Sequence, residues 1–264
     1  MDGAARTKPD HRTCGRLTRV ETSVSLLCLP CAGASATMYL RWRRLLPGWI
    51  RVVPVELPGR GSRSAESALR DFDSLVAQVC AEQADAMRGN FAIFGHSMGA
   101  LLAYGIACRL RAMGRELPVA LLASGSSAPS RRDPARFAGK TDDASLIADL
   151  RKQGGTPEEV FASAELMRIT LDVLGADYRV CEGFRHADEA PLPVPLQVFA
   201  GHHDDIEAER IHAWSAEAGG VFTLEWFDGG HFFIRQQEAA FLAALSQRLG
   251  QAVAGDRHAT HALA

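Results

Sequence analysis

Ser97 lies in Phe91-Ala-Ile-Phe-Gly-His-Ser-Met-Gly99, an apolar run that ends in Gly-x-Ser-x-Gly and passes at once into Ala-Leu-Leu-Ala-Tyr. The pattern predicts a strand, a sharp turn and a helix. The turn is too tight for side chains at both flanks, so glycine stands there, and it lifts the serine hydroxyl above the sheet edge. The helix that follows brings its positive end and free N–H groups to the same place. This arrangement suits nucleophilic attack on a carbonyl. The five-residue string alone is common; the strand before it and the helix after it make it informative.

A serine hydroxyl is a weak nucleophile and needs a base. A strand–turn–helix serine takes its acid and then its base from later in the chain. His231 follows the apolar run Phe222–Phe227 through Gly229-Gly230 and is the candidate base. His11, His258 and His261 lie near the chain ends, and His96, inside the turn itself, cannot reach back to its neighbour. The acid that orients the imidazole should stand at another strand end, and Leu196–Gly201 is followed by His202, His203, Asp204 and Asp205. Both aspartates compete, with Asp204 favoured. A metal reading of His202, His203 and Asp204 is weak, because consecutive side chains on an extended segment point apart. The oxyanion of an acyl-transfer intermediate needs backbone donors. Met98 N–H is one candidate. The small-residue loop Leu29-Pro-Cys-Ala-Gly-Ala-Ser35 offers a second, Ala32 first and Cys31 after it.

These residues need a scaffold that brings several strand ends together. Six short apolar runs read as strands: Ser23–Leu29, Ile50–Glu56, Phe91–Gly95, Val119–Ser124, Leu196–Ala200 and Phe222–Phe227. Helical spacing appears at Ala68–Met87, Gly99–Met113, Ile206–Ala218 and Gln236–Leu249. Strands alternating with helices define an α/β protein with a mainly parallel sheet flanked by helices. The rhythm breaks between Ala128 and Pro195, where only helices are expected, at Ala144–Gln153, Pro157–Ala162 and Ala164–Glu182; the stretch is a lid or a helical decoration. Residues 1–20 and 252–264 read as loose tails around one domain, 21–251.

Bulk properties narrow the rest. The chain has 264 residues, 47% hydrophobic, with a net charge of -2. That balance provides no global field for nucleic acid or an anionic membrane. No apolar stretch is long enough for a membrane span, and the basic start lacks the core of a secretory signal, so a cytoplasmic location is expected. Six cysteines include the pair Cys28 and Cys31; without a second such pair they read as buried, reduced thiols.

The motifs together resemble the type II thioesterases, free-standing editing enzymes of nonribosomal peptide and polyketide synthases, with an α/β-hydrolase fold. The resemblance runs from about Ser23 to Leu249, through LLCLPCAGASATMYLRW, VELPGRGSR, FGHSMGALLAY, GGTP, ADYRVCEGF, VFAGHHD and GGHFF. It departs from the family at Cys31 and Ala34, where His-Ala-Gly-Gly is usual, and at His202 and Asp205 in the acid loop. It implies Asp204 as the acid, Ala32 at the oxyanion, and a helical lid at about 129–195 over a channel for a phosphopantetheine arm. It also implies hydrolysis of stalled acyl groups from carrier proteins, with no cofactor or metal of its own. A monomer is the simplest expectation. Arg60 and Arg63, in Leu57-Pro-Gly-Arg-Gly-Ser-Arg63, could hold the phosphate of the arm or an acidic carrier; the alternative is a turn with internally paired arginines. Rival functions are a general carboxylesterase or lipase, an acyltransferase, and a non-catalytic binding module.

Overall fold

The computed structural model describes residues 23–133 and 135–262, with the backbone alone from 256 onward. The proposed tail 1–20 lies outside the described residues. The strands are β1 (Val24–Leu29), β2 (Ile50–Pro54), β3 (Phe91–His96), β4 (Ala120–Ser124), β5 (Leu196–Gly201) and β6 (Phe222–Phe227). They form one sheet in the order β2-β1-β3-β4-β5-β6, and every neighbouring pair is parallel. Every residue of β1, β3, β4 and β5 is buried, as expected of a sheet covered on both faces. The helices are α1 (Trp42–Leu45), α2 (Phe72–Glu82), α3 (Met98–Ala112), α4 (Asp143–Gln153), α5 (Glu158–Ala162), α6 (Ala164–Gly183), α7 (Ala208–His212), α8 (Phe233–Gln236) and α9 (Glu238–Ala262).

Two apolar layers sandwich the sheet. One joins α2, α3 and Val180 and Cys181 of α6 to the strands, around Phe72, Leu101 and Trp214. The other packs α1 and α9 on the opposite face, around Trp42, Phe94, Phe233 and Phe241. Gly105 lets α3 approach α2, since a Cβ there would lie 2.6 Å from the Phe72 ring.

Two expectations need correction. The chain does not become a loose tail at 252: α9 runs on to Ala262, and Ala252 and Val253 are buried in the second layer. The helix expected over Ile206–Ala218 is the short α7 followed by a tight 3-10 segment, Ala213–Glu217. There the Trp214 indole N–H donates to Ser126 O and Glu217 accepts from Tyr104, contacts that hold the segment in the tighter coil.

The sheet order reverses between β1 and β3. Strands added after β1 go to one side of it and then the other, leaving a crevice at their carboxyl ends, where ligands bind in open parallel sheets. Residues 129–195 leave the sheet after β4 and return at β5. They carry α4, α5 and α6 and roof this crevice.

Candidate active site

The turn after β3 is built by exclusion. A Cβ on Gly95 would fall 2.0 Å from Gly99 O, and one on Gly99 would fall 2.2 Å from Leu29 O. Both positions must be glycine for β3, α3 and the end of β1 to meet. Ser97 between them has φ 56° and ψ −116°, the one positive φ outside glycine among the described residues. Its N–H donates to Ser124 O (2.8 Å), which pins the turn to β4. Met98 is the first residue of α3, so its N–H has no partner within the helix.

His231 and Asp204 come together. The Asp204 Oδ2 lies 2.8 Å from His231 Nδ1, and both side chains are almost fully buried. Two loops make the meeting possible. His202 N–H donates to Phe227 O and His203 N–H to Gly229 O, each at 2.9 Å. A Cβ on Gly201 would come within 2.6 Å of Gly229 O and Gly230 O, so glycine permits this contact. The carboxylate fixes the proton on Nδ1 and leaves Nε2 as the basic nitrogen. That Nε2 is buried and has no hydrogen-bond partner among the described residues. It is the atom a base would present to a serine hydroxyl.

The neighbouring residues take other roles. Burial holds His96 well below the usual histidine range, followed by the charge effect of His231. Its ring lies 5.1 Å from that of His231, and its Nδ1 sits 3.1 Å from Ser124 Oγ, so it is a neutral packing group beneath the site. Asp205 turns away from the imidazole to Lys152 (2.7 Å) and Arg136 (3.2 Å) of the insertion. Burial raises its pKa, but these two cations outweigh that and leave it lowered. His202 stacks on Trp226, and His203 pairs with Asp228, so neither shares the partner of Asp204.

A cavity of about 290 Å³ opens above Ser97. Its floor includes Ala32 and Met98, and Phe137, Leu150 and Tyr178 of the insertion line its roof. The oxyanion-side loop is a turn closed by Ala34 N–H to Cys31 O (3.1 Å). Gly33 has φ +76° while Ala32 does not have a positive φ, which is the type II pattern. Gly33 N–H is taken by Asp177 (2.8 Å). Ala32 N–H has no acceptor among the described residues and is the available donor of the pair. Burial pushes the Cys31 thiol up to about 11 and the Cys181 thiol up to about 12. Both line the cavity as neutral groups.

Arg60 and Arg63 do not face the cavity. Arg60 is buried and forked onto Asp177 at 2.6 and 2.7 Å. Arg63 is forked onto both Glu66 and Glu82. Each guanidinium already has carboxylate partners, so neither is free for a phosphate or an acidic carrier, and the phosphate-binding expectation is corrected to internal pairing. Asp177 is the residue that sequence reasoning missed. Its signal was present: a carboxylate on the stripe Val173, Leu174, Ala176, Val180 and Cys181, the buried side of α6.

With this geometry in view, relatives can be compared. The thioesterase domain family matches residues 24–249. BorB, described as the type II thioesterase from the borrelidin biosynthetic cluster, superposes with a TM-score of 0.77 at 38% identity, covering 86% of this chain and 93% of that one. YbtT, a type II thioesterase from the yersiniabactin NRPS/PKS pathway, gives 0.73 at 28% identity, covering 89% and 95%. Linear gramicidin dehydrogenase LgrE of Brevibacillus parabrevis is 32% identical over 90% of this chain and 92% of its own. The chain belongs to the thioesterase family. It is an α/β-hydrolase that acts on thioesters.

Proposed function

We propose that Ser97, His231 and Asp204 form the catalytic triad of a stand-alone type II thioesterase. Its substrates are acyl groups carried on the phosphopantetheine arm of carrier proteins in a nonribosomal peptide or polyketide synthase. The observation that carries this reading is the buried His231–Asp204 pair, whose Nε2 has no hydrogen-bond partner among the described residues and whose ring lies against His96 of the Ser97 turn. Similarity to BorB and YbtT over nearly the whole of each chain supports the free-standing form and the synthase setting. The name of LgrE is not carried over: the loop after β1 has the single glycine Gly33 in Cys31-Ala-Gly-Ala-Ser35, without the glycine spacing that binds a dinucleotide.

In this scheme Ser97 Oγ adds to the thioester carbonyl as His231 Nε2 takes its proton. Asp204 stabilises the imidazolium, and Met98 and Ala32 N–H groups receive the oxyanion. Collapse expels the pantetheine thiolate, which takes the proton back from His231. Water, deprotonated by His231, then releases the acid and restores Ser97. Side chains, backbone and water suffice for every step. The cavity of about 290 Å³ above Ser97 gives the acyl group at the end of the arm a place beneath the roof.

The test is hydrolysis of a panel of acyl-phosphopantetheinyl carrier proteins beside matched oxygen esters. Preference for the carrier thioesters, abolished in Ser97→Ala, is expected. Equal or faster turnover of simple oxygen esters would replace the reading with a general esterase.

A further inference from the structure

The buried Arg60–Asp177 pair joins three parts of the chain. Asp177 lies on α6 of the roof and is completely buried, and Arg60 comes from the loop after β2. The third part is the turn after β1. Asp177 Oδ2 accepts Gly33 N–H at 2.8 Å, and Arg60 Nη1 donates to Ala34 O at 3.3 Å. Arg60 and Asp177 thus bracket the two residues that follow Ala32. One further contact fixes the same loop, Glu56 Oε1 accepting Ala36 N–H at 2.9 Å, and Leu174 of α6 lies so near that a Cβ on Gly33 would come within 3.3 Å of its Cδ1.

A buried ion pair adds little net stability over apolar residues of the same volume, so its worth here lies in what it holds. A type II turn and its type I counterpart differ by rotation of the central peptide, here Ala32–Gly33. The rotated form would aim Ala32 C=O at the Asp177 carboxylate in place of Gly33 N–H, and like-charged oxygens repel. The carboxylate therefore selects one form of the turn, and Arg60 holds both the carboxylate and the turn's far carbonyl. Rotation of the central peptide leaves the Cys31–Ala32 peptide in place, so what these contacts set for Ala32 N–H is the seating of the whole turn against α6.

We infer that Asp177 and Arg60 are positioning residues for the oxyanion donor Ala32 N–H, so that the α6 roof helix must be seated for the oxyanion site to be formed. This rests on the active-site reading above. The chemistry is not altered; the pair touches no reacting atom and acts through the turn.

Asp177→Asn is the obvious variant, but it strands Arg60 as an unpaired buried charge and can unfold the chain. The paired replacement Arg60→Met with Asp177→Leu removes both charges and keeps the volume filled. Three measurements are made on the full chain: kcat and KM for an acyl-carrier thioester, the melting temperature, and affinity for an alkylboronic acid. The last adds Ser97 Oγ to boron as His231 takes the proton, giving a tetrahedral anion that needs the oxyanion donors. The paired variant should melt cooperatively, with kcat down about 10- to 100-fold and KM within about threefold of the parent. Boronate affinity should fall in step with kcat. A second paired variant, Arg60→Gln with Asp177→Asn, restores an acceptor for Gly33 N–H and a donor for Ala34 O, and should recover most of the loss. A folded apolar pair whose kcat and boronate affinity stay within about twofold of the parent would overturn the inference. A parent that hydrolyses no thioester, or a Ser97→Ala form that retains hydrolysis, would instead overturn the triad.

Discussion

Ser97 occupies a backbone conformation that an L-residue adopts only under constraint, at a cost of about 1–3 kcal/mol. Glycine has no such penalty at φ 56°. Ser97→Gly should therefore be more stable than Ser97→Ala by about 1 kcal/mol in urea melts, with both inactive. Equal stabilities would mean the turn stores no strain. The two aspartates of the acid loop separate by what they touch. Asp204→Asn should lower kcat by roughly 10³–10⁴, since the imidazole loses its orienting charge. Asp205→Asn, facing Lys152 and Arg136, should stay within about tenfold of the parent, since partly exposed ion pairs are weak. The turn at Ser97 and the place of His231 after β6 were legible in the sequence because their signals are local, glycines that follow an apolar run. Arg60 was not, because its partner lies 117 residues away and a lone arginine says nothing about what it will meet.

Strand positions were readable to within a residue or two, since fully buried parallel strands are continuous apolar runs closed by turn residues. Helix ends were harder. The pattern from Ala68 to Met87 reads as one helix, yet α2 starts at Phe72 because Asp71 caps it, accepting Ser74 N–H at 2.8 Å. The end of α9 was missed for the opposite reason. Gly250 and Gly255 look like stops, but burial of Ala252 and Val253 outweighs their weak helix preference. Glu217, in the 3-10 segment after α7, has a testable pH signature. Burial raises its pKa, but bonds from Ser130 N–H, Tyr104 and His186 leave it lowered. A carboxylate with a depressed folded-state pKa stabilises the fold above its unfolded value, near 4.3, and that stability fades as pH falls through the folded value. The parent should thus lose stability on acidification below about pH 4.5, and Glu217→Gln should flatten that limb while costing about 1–3 kcal/mol at pH 7. Urea melts between pH 3 and 7 measure both.

At the scale of the whole molecule, the roof is tied to the body by buried and exposed polar anchors. Asp177–Arg60 is a buried one. Exposed ones include Lys152 and Arg136 on Asp205, Arg111 on Glu189, and Arg235 Nη1 on Gly155 O (2.9 Å). Salt shortens the range of exposed charge pairs from about 10 Å at 0.1 M to about 3 Å at 1 M. Tryptic cleavage at Lys140, Arg151 and Lys152 should accelerate over that range, and Asp205→Asn should already cleave fast at 0.1 M; unchanged cleavage in both cases would remove these anchors from the account. No helix among the described residues is long and apolar enough to cross a membrane. The insertion also has a consequence for exchange between relatives. Strands β4 and β5, which it connects, pair directly with each other, Leu121 beside Leu196 through Ser124 beside Phe199, so the sheet closes whatever the insertion contains. The roof is a cassette: its residues can be swapped to change what the cavity accepts without disturbing the strand register. One position is not free in such a swap. A transplanted roof that lacks a carboxylate at 177 would arrive with a new pocket and leave Arg60 stranded beside the turn it helps to hold.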